Sequence, residues 1–323
     1  MNRSGHLNRR HLCAALLAVA SLAAAGTAGA KDILRLVVPF AAGSYTDNVA
    51  RLVAPGLAQH LGKDVIVENR AGANGIIGAS YVAHAKPDGL TLLVGGASVN
   101  TINPGVYKNL PYDPERDLLP VGRIGVLPFM LLVNPSLPVH TVAELISYAK
   151  AHPEKLSYGT PNAATLVGTE TFKREAGIKL LSIPYKSSPQ AMTDLVGNQI
   201  QVLMADFATA MPQVKTGKAR LLAVTMQSRS ALLPDTPPIS DTVPGFDLSA
   251  WTGLLAPGKT PLATVKPVYE ALRASLAAPA LQAKFKNIGF EINPMGPEKF
   301  GPYIHSEIQK WKKLAHEAGI EPQ

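Results

Sequence analysis

The sequence predicts an α/β protein of two lobes joined by two hinge-crossing strands. Three observations carry that reading. Short β-rich runs alternate with helical patterns through residues 31–323, an order that argues for parallel sheets with helices on both faces. Two extended, largely apolar segments, 120–134 and 249–257, bracket a complete set of alternating elements. The last stretch, 258–323, reads as helical and returns most economically to the first lobe. Lobe one is then 31–125 plus 254–323, and lobe two is 126–253. Two lobes tied by two strands can close on a ligand by hinge motion.

Residues 1–30 read as a secretory signal peptide. Arg3, Arg9 and Arg10 supply a basic start, 12–25 is apolar, and Ala28-Gly29-Ala30 fits small-residue cleavage before Lys31. The apolar stretch is short and alanine-rich against the ~20 residues a membrane span requires. Cys13, the one cysteine, lies inside it. Arg10-His11-Leu12 lacks the small-residue approach of a lipoprotein site, so the mature chain is expected to hold no disulfide and no thiol chemistry. Export without an anchor implies the periplasm.

The segment 31–51 is the most informative. A strand at 33–38 stops at Pro39, and Ala41-Ala42-Gly43-Ser44 makes a small-residue turn. Thr46 and Asp47 then open a helix whose apolar face is Val49, Val53, Leu57 and Leu61. Strand, tight loop and helix start aim free backbone N–H groups at an anion. In an exported protein this favours capture of a solute over its transformation. Pro55 should kink or shorten that helix.

Further strands are expected at 65–68, 91–95, 121–124, 130–134, 180–184, 202–205, 221–225 and 252–256. Helices are expected at 75–84, 141–151, 165–175, 189–197, 208–216, 261–276 and 297–318. The proline-rich 233–244 reads as a loop, since ordered elements flank it.

The net charge is +8, and Arg3, Arg9 and Arg10 account for part of it. No basic run is dense enough for nucleic acid, and few aromatics are available to stack bases. A modest positive potential favours anionic solutes. Enzyme signatures are missing. There is no Gly-x-Ser-x-Gly elbow, no His-Glu-x-x-His and no cysteine pair. Gly72-Ala73-Asn74-Gly75-Ile76-Ile77-Gly78 has glycines three and three apart, which is not dinucleotide spacing. No catalytic residue, metal or cofactor is expected. The alternative is a periplasmic hydrolase of unrecognised type, which turnover of a substrate would reveal.

Several stretches in order resemble one family. They are Val38-Pro39-Phe40-Ala41-Ala42-Gly43-Ser44-Tyr45-Thr46-Asp47, Val67-Glu68-Asn69-Arg70-Ala71-Gly72-Ala73-Asn74-Gly75, Lys86-Pro87-Asp88-Gly89-Leu90-Thr91-Leu92, Tyr112-Asp113-Pro114 and Pro184-Tyr185-Lys186. Gly217-Lys218-Ala219-Arg220 before Leu222-Ala223-Val224-Thr225 completes the set. The chain resembles the Bug (TctC-like) periplasmic receptors of tripartite tricarboxylate transporters across its whole mature length. The resemblance implies a two-lobed, type II-like periplasmic binding fold that traps a small carboxylate, held largely by backbone N–H groups and bridging waters. It departs from the family pattern at Tyr45, where many members keep a small residue. Leu166 stands near a usual histidine, and Asp206 falls one residue later than the aspartate of many members.

Two donor sets are expected. The first is Gly43, Ser44, Tyr45 and Thr46, where small residues admit the ligand and hydroxyls add donors. The second is Gly159, Thr160, Asn162 and Thr165, whose side chains suit N-capping as well. Tyr45 reads either as a pocket ring or as loop packing. Asp206 reads either as a ligand contact or as the cap of the helix at 208–216. Ser98 and Asn100, after a strand, are further polar candidates. Asp47 is expected to brace the helix start. The partners implied are a small carboxylate and, as readers of the closed form, membrane transporter subunits or a sensor kinase. A monomer is expected.

Overall fold

The computed structural model describes residues 32–185 and 187–322. The signal-peptide reading, with Cys13, therefore falls outside the described residues, as does Lys186. Runs of β-branched and aliphatic residues form ten strands that join into one hydrogen-bonded sheet. β1 (Ile33–Val38) lies parallel to β2 (Asp64–Asn69) and β3 (Thr91–Gly96). β4 (Leu118–Val133) is 16 residues long and nearly all buried. β5 (Ser157–Thr160), β6 (Leu181–Pro184) and β7 (Val202–Asp206) are mutually parallel through β5. β8 (Arg220–Val224), β9 (Ser249–Pro257) and β10 (Glu291–Met295) complete the set. The order is β2-β1-β3-β9-β4-β7-β5-β6, with β8 and β10 paired to β4.

β4 changes partners along its length. Leu118 to Pro128 pair with β9, and Val126, Gly125 and Arg123 with β10. From Phe129 to Val133 the partners are β7 and β8. Every one of these pairs is antiparallel, as is β3 with β9. The sheet is thus mixed, where alternation alone predicts parallel strands. β4 and β9 are both entered from irregular chain rather than from a crossover helix, so nothing obliges them to run parallel to their neighbours.

The helices are α1 (Tyr45–Leu61), α2 (Ile76–Ala83), α3 (Val142–Ala151), α4 (Ala163–Ala176), α5 (Ser188–Val196), α6 (Phe207–Lys215), α7 (Leu262–Leu276), α8 (Pro279–Asn287) and α9 (Pro297–Glu317). Strand periodicity sends alternate residues to opposite faces. Leu36, Val38, Leu92, Val94, Leu254 and Ala256 pack with α1 and α7 through Val49, Val53, Leu57, Val265, Val268 and Leu272. Val37, Leu93 and Leu255 face α2 and α9, where Val82, Phe300, Ile304, Ile308 and Trp311 are buried. In the second half of β4, Met130 and Leu132 pack towards α5, while Leu131 and Val133 face α4 through Val167 and Phe172.

Pro55 neither ends nor shortens α1, which runs on to Leu61 and stops at Gly62 with φ +63°. Arg51, whose carbonyl loses its partner to the proline, is exposed together with Pro55, so water can serve it. Elements that were not expected individually include β5, whose Ser157-Tyr158-Gly159-Thr160 is glycine-containing and short, β10, a π-helical turn at Ser98–Ile102, the four-residue helix Asn103–Val106 that follows it, and α8. α9 touches both halves of the molecule: Lys310 pairs with Asp247 at 3.6 Å, and Arg174 of α4 pairs with Glu317.

Candidate functional site

The site is assembled from helix starts. Ser44 caps α1, its Oγ accepting the Asp47 N–H at 3.2 Å. Asp47 is 1% exposed and reaches back. Its carboxylate accepts from the Gly43 N–H at 2.8 Å, Arg51 Nε at 2.9 Å and Asn69 Nδ2 at 2.9 Å. This is a capping box displaced by one residue, with the acid closing on the amide before the cap. Burial pushes the Asp47 carboxyl up, but the bonds from Arg51, Gly43 and Asn69 outweigh it and hold it below the usual range. Gly43, at φ +79°, makes the turn. Its N–H is spent on Asp47 and is not free for an anion. The amides of Tyr45 and Thr46, first in the helix, have no acceptor among the described residues.

α4 repeats the arrangement. Asn162 caps it, its Oδ1 accepting the Thr165 N–H at 3.0 Å. The Ala163 and Ala164 amides are left without acceptors. Tyr45, Thr46, Ala163 and Ala164 all line one cavity of about 310 Å³. Two helix starts therefore converge on it, each presenting the positive end of its dipole. Asp206, at the end of β7, lines the same cavity and caps α6, its two oxygens accepting from the Thr209 N–H and hydroxyl at 3.0 Å each.

Among the described residues that line the cavity, none is lysine, arginine or histidine, and Asp206 is the one carboxylate. The Tyr45 hydroxyl is buried without a partner. Burial, then the nearby Asp206 charge, pushes its pKa up, so the phenol stays neutral at any physiological pH. Its ring lies 5.8 Å from that of Phe290. A second cleft of about 420 Å³ sits between α4 and α9, lined by opposed charges such as Arg174 with Glu317. No helix start opens into it.

Of the residues singled out from sequence, Ser44, Tyr45, Thr46, Ser98, Asn162 and Asp206 line the cavity. Gly43, Asn100, Gly159, Thr160 and Thr165 are not in its lining; Gly43 is exposed on the loop before α1. Asn100 is fully buried; its Oδ1 accepts the Gly96 N–H at 3.2 Å and its Nδ2 has no partner. Gly159 sits in β5, where a Cβ would fall 2.8 Å from Ile200. The Thr160 hydroxyl donates to the Ile183 carbonyl, and that of Thr165 to the Asn162 carbonyl. Sequence reasoning missed Phe40, Asn74, Asn103, Leu127, Phe129, Trp251 and Trp311 in the lining. Trp251 and Trp311 are the chain's two tryptophans, and their scarcity was a usable signal.

Among the described residues no group of three or more histidine, cysteine, aspartate and glutamate side chains is placed to hold a metal. None of their helices is long and apolar enough to cross a membrane. No serine or threonine hydroxyl among them bonds a histidine ring, and nothing supports the hydrolase alternative.

A mixed α/β fold with a half-open cavity at strand ends and helix starts is the architecture of solute-binding receptors of the periplasmic binding type. The chain belongs to the tripartite tricarboxylate transporter receptor family, TctC, whose model matches residues 49–320. This bears out the resemblance read from the sequence. A UPF0065 protein of Bordetella bronchiseptica is 36% identical over 314 residues, covering 96% of this chain and 93% of the relative. R. palustris Rpa4515, solved with adipate, is 35% identical with a TM-score of 0.79, over 90% of this chain and 98% of that one. MatC of Rhodopseudomonas palustris, solved with bound malate, is 28% identical with a TM-score of 0.73, over 87% and 98%.

Proposed function

We propose that this chain is an exported periplasmic receptor that captures one small carboxylate between two lobes and transforms nothing. The observation that carries this is the convergence of the Tyr45, Thr46, Ala163 and Ala164 amides, from two helices, on one cavity. The family and the adipate and malate held by its relatives support it. A carboxylate there accepts from backbone N–H groups, with the hydroxyls of Ser44 and Thr46 adding donors. Each helix end contributes ~0.3–1 kcal/mol, and up to ~2 kcal/mol when shielded from water.

The lobes are 31–125 with 254–323, and 126–253. What supports this division is that β4 exchanges β9 and β10 for β7 and β8 between Pro128 and Phe129. Closure shuts the α1 and α4 starts over the ligand and excludes water, which strengthens every polar contact inside. The closed monomer is then read by membrane transporter subunits or by a sensor kinase. Tyr45 and Asp206 tune what accompanies the carboxylate.

The test is a thermal-shift screen of the chain, refolded from denaturant to strip any carried ligand, against small carboxylates with each matching amide. At ~100 times its dissociation constant a ligand stabilises by ~2.7 kcal/mol, about 5 °C or more at ~2–4 °C per kcal/mol. A shift with an acid and none with its amide is expected. Equal shifts for acid and amide, or turnover of any acid, would overturn the proposal.

A further inference from the structure

Asp206 differs from Asp47, Glu170 and Glu307 in having no cation. Asp47 is held by Arg51, Asn69 and the Gly43 amide. Glu170 pairs with Lys173 at 2.8 Å, and Glu307 with Lys310 at 2.6 Å. Among the described residues, the one partner of Asp206 is Thr209, in the first turn of the helix it caps. An ionised carboxylate accepts about four hydrogen bonds, so acceptor sites on both of its oxygens stay open. Asp206 is half-buried and lines the 310 Å³ cavity.

Its charge is felt where the ligand is anchored. After burial, the Asp206 charge is what raises the pKa of the Tyr45 phenol, and Tyr45 is the first residue of α1. Two helix dipoles favour an anion there, while Asp206 repels one. Neutral lining groups such as Ser98 and Asn162 can donate to any acid oxygen, so they do not choose between acids. A ligand that brings its own cation suits both features. Its carboxylate meets the backbone amides, and its ammonium offers three charge-assisted donors to the open Asp206 oxygens.

We propose that Asp206 is the specificity-determining residue of this receptor and accepts an ammonium group of the ligand, so that the solute is an amino acid. The proposal rests on the reading that the α1 and α4 starts hold the carboxylate. The adipate and malate held by relatives carry no ammonium, and this chain is expected to rank such acids below amino acids.

The chain, refolded from denaturant to empty it, is titrated by calorimetry with L-alanine, L-leucine, L-phenylalanine and γ-aminobutyrate. Each is set beside the acid that lacks only its amino group, and beside adipate and malate. An amino acid is expected to bind at least tenfold more tightly than its deaminated partner and than either dicarboxylate. Asp206→Asn keeps an oxygen for the Thr209 amide, since asparagine caps helices about as well as aspartate. Asp206→Ser, also a capping residue, covers the case in which the asparagine variant does not fold. Either variant should weaken the amino acid at least tenfold and tighten its deaminated partner, whose repulsion is relieved. A capping role alone moves both affinities the same way or neither. That result, or a panel in which no amino acid outbinds its partner and both dicarboxylates, overturns the ammonium assignment; deaminated acids that still outbind their amides leave the carboxylate anchor standing. The amide of the tightest-binding amino acid matching the amino acid itself overturns the anchor, and this proposal with it.

Discussion

Asp47→Ala isolates what holds the first binding loop in place. The substitution removes the acceptor of the Gly43 N–H, of Asn69 Nδ2 and of Arg51 Nε. Asn69 is the costliest loss, because it also donates to the Phe40 carbonyl and ties β2 to the loop. A partly buried donor left without a partner costs ~1–2 kcal/mol. The Gly43 amide, on an exposed loop, recovers water and costs less. The Arg51 pair, with the arginine side chain half exposed, contributes little. Loss of an acid from the first turn of a helix removes ~0.5 kcal/mol more. The total is about 2–3 kcal/mol, which at ~2 °C per kcal/mol for a chain of this length lowers Tm by about 4–6 °C. Asp47→Asn keeps one acceptor oxygen and should fall between. Differential scanning calorimetry at neutral pH reads both, and calorimetric titration with a bound acid should show affinity falling with loop order. An alanine variant that melts within ~1 °C of the parent would refute the bracing role, and with it the account of why the loop is pre-formed.

Other variants and conditions test neighbouring parts. Arg116 bonds, with the Asp113 amide, hold the Asp117 carboxyl down at about 2. Its folded value lies below its unfolded one, so its stabilisation is full above pH ~4 and is lost as pH falls from ~4 towards 2. Asp117→Asn should flatten that part of a stability profile measured in urea, and an unchanged acid limb would count against it. Gly289 has φ +72°, and a Cβ there would fall 2.0 Å from the Phe207 ring at the start of α6. Gly289→Val should lower Tm by several degrees and cut ligand affinity at least tenfold; a variant as stable as the parent would show that this contact is not needed. Tyr45→Phe removes a buried hydroxyl that has no protein partner, so stability should hold or rise slightly. Any fall in affinity for one acid over another in a competition titration then reports a ligand contact, and an unaltered ranking makes Tyr45 packing alone.

Much of the architecture was legible because it is local. The run 33–38, the turn at Gly43 and the apolar spacing of Val49, Val53 and Leu57 each declare their state within a few residues. The extended segments at 120–134 and 249–257 stood out for the same reason. Strand direction was not legible, since pairing between β4 and β9 joins residues more than a hundred apart. β5 was hidden because it is only four residues long and interrupted by Gly159. At the site, the helix starts could be read, yet the fate of the Gly43 amide could not be seen without Asp47 folding back. The Ser44-x-x-Asp47 spacing of a capping box was the available clue. Trp251 and Trp311 reach the cavity from β9 and α9, and no local pattern links either to residues 44–46.

The place of β9 also governs how the chain can fold as it is made. It lies between β3 and β4, yet its residues follow both by more than a hundred positions. During synthesis β3 and β4 emerge with open edges and no strand to fill the seam. Only after residue 257 has appeared can that seam close, and α7 and α9 must follow to cover its faces. Contacts of such separation form late and slowly. The chain is thereby kept from completing its fold before nearly four-fifths of it exists. The same delay leaves apolar strand edges open in the growing chain, where they invite aggregation unless something shields them.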